Sequence, residues 1–139
     1  MKGAVKIDAP GISTPPGASW SNCLLIGREV VFSGVTARGP DGLTAGGTSM
    51  EGQTRACLAK IFTQLEAAGG HSGNIYRLVV YVTDMSRKDE VNAARKALFR
   101  DTYPASTLLG VKELVFPDLL VEIDAFANLD ISLQQDRTP

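Results

Sequence analysis

Thr102–Leu129 reads TYPASTLLGVKELVFPDLLVEIDAFANL, and the fold turns on how this stretch pairs. Pro104 stops the helical pattern before it and pushes Tyr103 out of helical geometry, after which Ser106 to Glu113 has the composition of a strand. Pro117 and Asp118 mark a turn between two apolar runs. Leu119 to Phe126 then alternates, so the expectation is a strand hairpin. With a period of two, Leu120, Glu122, Asp124 and Phe126 share one face, and Val121, Ile123, Ala125 and Ala127 share the other. Glu122 and Asp124 therefore point the same way, roughly 7 Å apart, close enough to feel each other and too far apart to share a proton.

A carboxylate between Val121 and Ile123 is costly to bury unless it finds donors or raises its pKa. Two readings of Glu122 and Asp124 stand side by side. One is a carboxylate that positions or activates a water at the end of a sheet. The other is a pair of solvated acids on an exposed face, or acids paired with a lysine such as Lys112.

At 139 residues the chain is long enough for one domain with its own core and needs no staples. Its 44% hydrophobic and 21% charged content is that of an ordinary water-soluble domain. With 14 basic and 15 acidic side chains, a formal charge of −1 and no basic run, nucleic acid is not an expected partner. Cys23 and Cys57 lie far apart without histidines at ligand spacing, so they read as reduced, buried apolar residues and no metal is expected. The opening MKGAVKIDAPG lacks the apolar core of a signal peptide, and no membrane span is present in the pattern. The cytoplasm is the expected location.

From the start, Ala4 to Ile7 suits a short edge strand, and the prolines and glycines at positions 10–17 make the next stretch a loop. Trp20, the single tryptophan, stands in a polar setting before the apolar run Cys23 to Ile26. It suits either a lid over the core or a flat ring that stacks on a small planar substrate. Val30 to Val35 reads as a strand in which the small Ser33 and Gly34 let another backbone or a ligand come near. Thr36 to Gly47 is glycine-rich and reads as a mobile loop without a phosphate-binding pattern. Thr48 and Glu51 form an expected capping box, opening a helix whose stripe is Leu58, Ile61, Phe62, Leu65 and Ala68 and whose end is Gly69-Gly70. His71 follows in a loop and is given no role. Ile75 to Thr83 is the most strand-like run, with Tyr76, Leu78, Val80 and Val82 expected on one face. Asp84 and Ser86 offer caps to a second helix with Val91, Ala94 and Leu98 inside, and Asn92 is expected to bond across to a loop. The tail after Ile131, with Gln134-Gln135-Asp136-Arg137, reads as a frayed end.

The order strands, helix, strand, helix, hairpin describes a single α+β domain, with a mainly antiparallel sheet and two helices on one side. The other face carries too much apolar surface for one chain to leave wet, so a homo-oligomer is expected, with sites at subunit clefts.

Several short stretches in this order resemble the reactive intermediate deaminase family, also called RidA or YjgF. They are Ser33-Gly34 at a strand end, Glu66-Ala67-Ala68-Gly69, Val91-Asn92-Ala93, Tyr103-Pro104-Ala105, and Val121-Glu122-Ile123-Asp124-Ala125-Phe126-Ala127. The resemblance implies a chorismate-mutase-like homotrimer with three clefts between subunits, where enamines or imines are hydrolysed to ketones and ammonia without a cofactor. By that likeness Glu122 holds or activates the attacking water and Trp20 closes the pocket. Ser33, Gly34 and Asn92 line or brace it, and Ser106 and Leu108 stand at substrate-contacting positions.

Ser106 is the departure. The family's best-described branch carries an arginine there, gripping a substrate carboxylate through two charge-assisted bonds. Losing one partner of such a buried pair costs about 2–5 kcal/mol, against about 1 kcal/mol from a neutral hydroxyl. Arg28, Arg38, Lys112 or a basic residue of a neighbouring copy are the candidates for the missing charge. A small-molecule deaminase with altered anchoring is the first functional expectation. A non-catalytic binding or regulatory trimer of the same fold is the alternative.

Overall fold

A strand at Val121–Asn128 lies inside the sheet and is paired along both edges, which sets the order of everything else. The computed structural model describes residues 3–134. In chain order the strands are β1 (Val5–Lys6), β2 (Cys23–Ile26), β3 (Glu29–Phe32), β4 (Val35–Thr36), β5 (Ile75–Val82), β6 (Ala105–Gly110) and β7 (Val121–Asn128). They form one sheet in the order β1-β2-β3-β7-β5-β6, with β4 also paired to β7. All pairs are antiparallel except β5 with β6. α1 (Met50–Ala67) and α2 (Lys88–Leu98) cover one face, the α+β arrangement expected.

The alternation of β7 holds: Val121, Ile123, Ala125 and Ala127 are buried, and Glu122, Asp124 and Phe126 lie half-buried on the open face. The expected hairpin does not form. β6 pairs with β5, in parallel, through Leu78↔Ser106 and Val80↔Leu108, and β5 separates it from β7. The reason is topological: α2 stands between β5 and β6, and a helical crossover returns the chain parallel to the strand it left. Residues 111–120 then cross the end of β5, where Val111 N–H donates to the Val82 carbonyl (2.8 Å) and Thr83 N–H to that of Leu120 (3.1 Å).

α1 forms where its apolar stripe demands it, with Leu58, Ile61 and Leu65 buried. Its cap is Ser49, one residue later than expected from Thr48. The Ser49 hydroxyl accepts from Gly52 N–H at 2.9 Å, and Glu51 bonds Arg55 one turn on instead of reaching back. Gly69, at φ 92°, ends the helix as expected, and Gly70 N–H donates to the Leu65 carbonyl at 2.9 Å. On β5 a bulge between Ile75 and Arg77 turns Ile75 inward and Tyr76 outward, reversing the expected faces of both, since a period of two puts Ile75 outside with Arg77, Val79, Tyr81 and Thr83. The stretch 36–47 is pinned, not loose: Ala45 N–H bonds the Ala37 carbonyl at 2.9 Å, and Thr44 and Arg38 both hold Asp118. Of the tail expected to fray, residues 135–139 lie outside the described part. Gln134 Oε1 accepts from Arg100 N–H at 3.1 Å.

Gln53 locks the two halves of this framework together. It is fully buried on α1, its amide donates to the carbonyls of Gly47 (2.8 Å) and Asp118 (2.9 Å), and its oxygen accepts from Leu120 N–H (2.8 Å). Three groups on two loops therefore depend on one side chain for satisfaction. Gln53→Leu keeps the volume and strands those groups, at an expected cost of about 1–3 kcal/mol or more. Urea unfolding checks this as a lower midpoint at unchanged slope. A midpoint equal to the parent's would show that the amide network contributes nothing.

Candidate active site

The site starts at an irregularity between β3 and β4. Val31 faces Phe126 and Val35 faces Ile123, so the β3–β4 side spends one more residue than β7 over the same span. Ser33 and Gly34 fill that bulge, which turns the backbone toward Glu122. A Cβ on Gly34 would stand 2.6 Å from Glu122 Oε1 and 2.8 Å from its carboxyl carbon, so the carboxylate rests directly on the glycine. Only a residue without a side chain leaves that seat open. Ser33 is braced instead of free: its hydroxyl donates to the Ser21 carbonyl at 2.5 Å.

Glu122 looks into a half-open cleft of about 750 Å³ whose walls include Trp20, Ser33, Gly34, Arg38, Lys60 and Phe116. Its carboxylate makes no hydrogen bond or ion pair to a protein group among the described residues, and burial, with help from the Asp124 charge, pushes its pKa up. Asp124 is occupied: the Tyr81 hydroxyl donates to its Oδ2 at 2.7 Å, which also raises the Tyr81 pKa. Of the two acids on this strand face, Glu122 is the one with both oxygens unbonded among the described residues. Trp20 stands half-exposed at the cleft, its indole N–H held by Asn22 Oδ1 at 3.1 Å.

Two cations line the same cleft. Lys60 donates to the carbonyls of Thr36 (2.8 Å) and Arg38 (2.9 Å), and burial pulls its pKa down. Arg38 stacks over Phe116 at 4.1 Å and bonds Asp118 at 2.6 Å, so its charge is largely compensated. The Thr44 hydroxyl and the Arg38 guanidinium hold the Asp118 carboxyl below its usual range. Of the other cations considered, Arg28 is committed to Asp130 at 2.8 Å, and Lys112 is exposed and not part of the cleft wall.

The structure thus gathers Trp20, Ser33, Gly34 and Glu122, and does not bring Asn92, Ser106 or Leu108 to them. Asn92 is exposed on α2 and, contrary to expectation, makes no bond to a loop among the described residues. Ser106 and Leu108 face the helix side of the edge strand, opposite Leu78 and Val80, with Leu108 packed on the core. Lys60 and Phe116 had no signal, because each sits in a stretch that reads as helix surface or turn. Arg95 was also missed. Its guanidinium donates to Ser106 Oγ at 2.8 Å, and its spacing from Asn92, three residues on the same helix face, was the available clue.

A family model described as Endoribonuclease L-PSP matches residues 11–129. The chain belongs to this family, the RidA/YjgF-like group that its motifs resemble. A 2-iminobutanoate/2-iminopropanoate deaminase from Salmonella typhimurium is 31% identical over 105 residues, 73% of this chain and 80% of that protein. A RutC family protein from Pyrococcus horikoshii is 35% identical over 75 residues, 54% of this chain and 59% of the relative, so that match spans less than two thirds of the relative's length. A crystal structure of a protein of unknown function from Pseudomonas aeruginosa is 45% identical, with a TM-score of 0.87 covering 98% of this chain and 99% of that one. Among the described residues no group of three or more His, Cys, Asp or Glu is placed to hold a metal ion, and no helix is long and apolar enough to cross a membrane. Cys23 and Cys57 are free and buried, and burial pushes the Cys57 thiol up to about 12.

The seat of Glu122 has a consequence for stability. Its folded pKa lies above the unfolded one, so the fold favours the protonated form. That contribution is fully present below the unfolded pKa and is lost as pH rises through the folded one. Glu122→Gln, which mimics the protonated group, is expected to melt higher than the parent at pH 7 and at the same temperature near pH 3.5. Thermal melts across this range check it. A variant that is less stable than the parent at pH 7 would contradict the raised pKa.

Proposed function

We propose that the protein is a homotrimeric hydrolase that deaminates small imines and enamines in the Glu122 cleft, without a cofactor. The observation that carries the reading is the Glu122 carboxylate, half-buried, unpaired among the described residues and raised in pKa at the wall of a cleft with a flat indole beside it. Such a group is a stronger base than a solvated glutamate. The similarity to an iminobutanoate/iminopropanoate deaminase supports the same chemistry.

As a water oxygen bonds to the imine carbon, Glu122 takes a water proton and passes it to the nitrogen, which receives the C=N electron pair. The carbinolamine then collapses. Its hydroxyl proton goes to Glu122, the C=O bond forms, the C–N bond breaks with its pair on nitrogen, and Glu122 returns the proton to the leaving amine. Imine and water become ketone and ammonia, and the carboxylate is regenerated. Trp20 offers an apolar, flat surface for a planar substrate.

The trimer is supported by the uncovered sheet face, where Val79, Tyr81 and Phe126 lie half-buried in a single chain, and by the exposed edge strand β6. A formal charge of −1 supports a small-molecule substrate over RNA. Buried free thiols fit a reducing compartment, and we place the protein in the cytoplasm.

Ammonia release from freshly generated imines, with and without an α-carboxylate, tests the reading. The parent should turn over at least one class, and Glu122→Gln should lower kcat by about 10²–10⁴-fold while Asp124→Asn changes it little. Equal losses from both variants would remove Glu122 from its role. Sedimentation equilibrium at micromolar concentration should give three times the chain mass, and a stable monomer would exclude a site shared between copies.

A further inference from the structure

Trp20, Val115 and Phe116 leave a large apolar surface in water around the Glu122 cleft. They are 50%, 75% and 44% exposed and come from two stretches of chain far apart in sequence, yet all three line the one cleft. Single apolar residues on a surface are ordinary, whereas a group of them rimming a concave site marks a place that something apolar covers. Pro15 and Pro16 extend the same wall.

Both rings are held within the single chain. The Trp20 indole N–H donates to Asn22 Oδ1 at 3.1 Å, and the Asn22 amide donates in turn to Thr14 Oγ1 (3.2 Å) and the Ser13 carbonyl (3.4 Å), which ties the ring to the wall before the prolines. Phe116 lies under the Arg38 guanidinium, 4.1 Å from the ring centre. A flat ring already fixed in place gives up little freedom when a ligand meets it. The cations of the cleft are engaged with the protein itself. Arg38 bonds Asp118 and the Gly42 carbonyl, and Lys60 donates to the carbonyls of Thr36 and Arg38. The opening therefore presents flat apolar surface beside a single base, the composition of a pocket for an apolar molecule with one polar reacting group.

We propose that the rim of Trp20, Val115 and Phe116 is an apolar subsite that takes the substituent of the substrate, so that the preferred substrate is an uncharged imine or enamine carrying an aromatic group. The imine in this assignment rests on the deaminase reading above; the apolar subsite does not. Val115 and Phe116 are then specificity-determining residues, packing on the substituent while Glu122 serves the C=N group. The altered anchoring expected of this chain is thus apolar contact in place of a charge.

Trp20 is the single tryptophan of the chain, so its fluorescence reports the rim directly and apart from catalysis. Titration of the intact protein with phenylacetamide, a planar neutral stand-in for such an imine, should shift the emission to shorter wavelength and saturate, with a Kd roughly tenfold or more below that of acetamide. Phenylacetate, the same ring with a charge, should bind more weakly than phenylacetamide. Phe116→Ala should weaken phenylacetamide binding roughly tenfold, and Val115→Ser, a change at a well-exposed position, should weaken it in the same direction. In turnover, the imine that an amine oxidase generates from 2-phenylethylamine should show a higher kcat/KM than the imine from ethylamine, and Phe116→Ala should lower that ratio. Equal affinity for phenylacetamide and acetamide would overturn the subsite, as would tighter binding of phenylacetate or binding that neither variant changes. Dissociation of the oligomer by Phe116→Ala would also overturn it, making the rim a contact between copies. Phe116-dependent binding of phenylacetamide without hydrolysis of any imine would uphold the subsite and remove the deaminase reading. Hydrolysis of both imines with equal kcat/KM would uphold the deaminase reading and remove the subsite.

Discussion

The two-residue alternation of β7 is the constraint on which the molecule depends. Val121, Ile123, Ala125 and Ala127 are buried under the helices, and this fixes the register against β3, β4 and β5 together. A slip of one residue would put Glu122 and Asp124 into the core, a penalty of several kcal/mol for each unpaired charge. The same alternation that builds the core therefore delivers a carboxylate to the opposite face. Because β7 is central, it is paired along both edges, and Glu122 sits on a strand instead of on a loop.

Around that strand the structure divides its acids by environment. Asp124 receives the Tyr81 hydroxyl and is spent on structure. Glu122, two residues away, rests on Gly34 and meets no donor among the described residues, so burial acts on it unopposed. Gly34 in the bulge makes the difference, since a Cβ there would stand 2.6 Å from Glu122 Oε1. Burial of the carboxylate costs stability at this point and leaves a basic oxygen in a cleft. The framework's contribution is the Gln53 network, which ties α1 to the loops at Gly47 and Asp118, and through Asp118 to Arg38 at the cleft wall.

What could be read from the sequence was what short-range periodicity encodes. The faces of β7, the stripe of α1 and its glycine end follow from spacing alone, and four of the residues the motifs named, Trp20, Ser33, Gly34 and Glu122, line one cleft. Pairing partners are a different matter. Ser106 to Gly110 has the same composition whether it closes a hairpin or lies parallel beside β5, and the turn residues Pro117 and Asp118 argued for the hairpin. The helix between β5 and β6 was the stronger signal, because a helical crossover favours parallel neighbours. The bulge that seats Glu122 on Gly34 leaves no mark in a pattern, since it appears only as a register offset between strands far apart in sequence. Arg95 was hidden for a related reason: it flanks the apolar stripe of α2, where an arginine reads as a helix-edge charge, and only the strand beside it reveals the hydroxyl partner Ser106. Asn92 shows the reverse, a residue expected to brace a loop that instead stands outward beside Arg95.

The account stands or falls on the state of one carboxyl group. Carbon-13 NMR of protein labelled at the glutamate side-chain carboxyl, titrated between pH 3 and 8 and assigned by comparison with Glu122→Gln, reads that state directly. The account predicts one resonance, missing in the variant, that titrates clearly above the other glutamates. A Glu122 carboxyl that titrates with or below the solvent-exposed glutamates would contradict it.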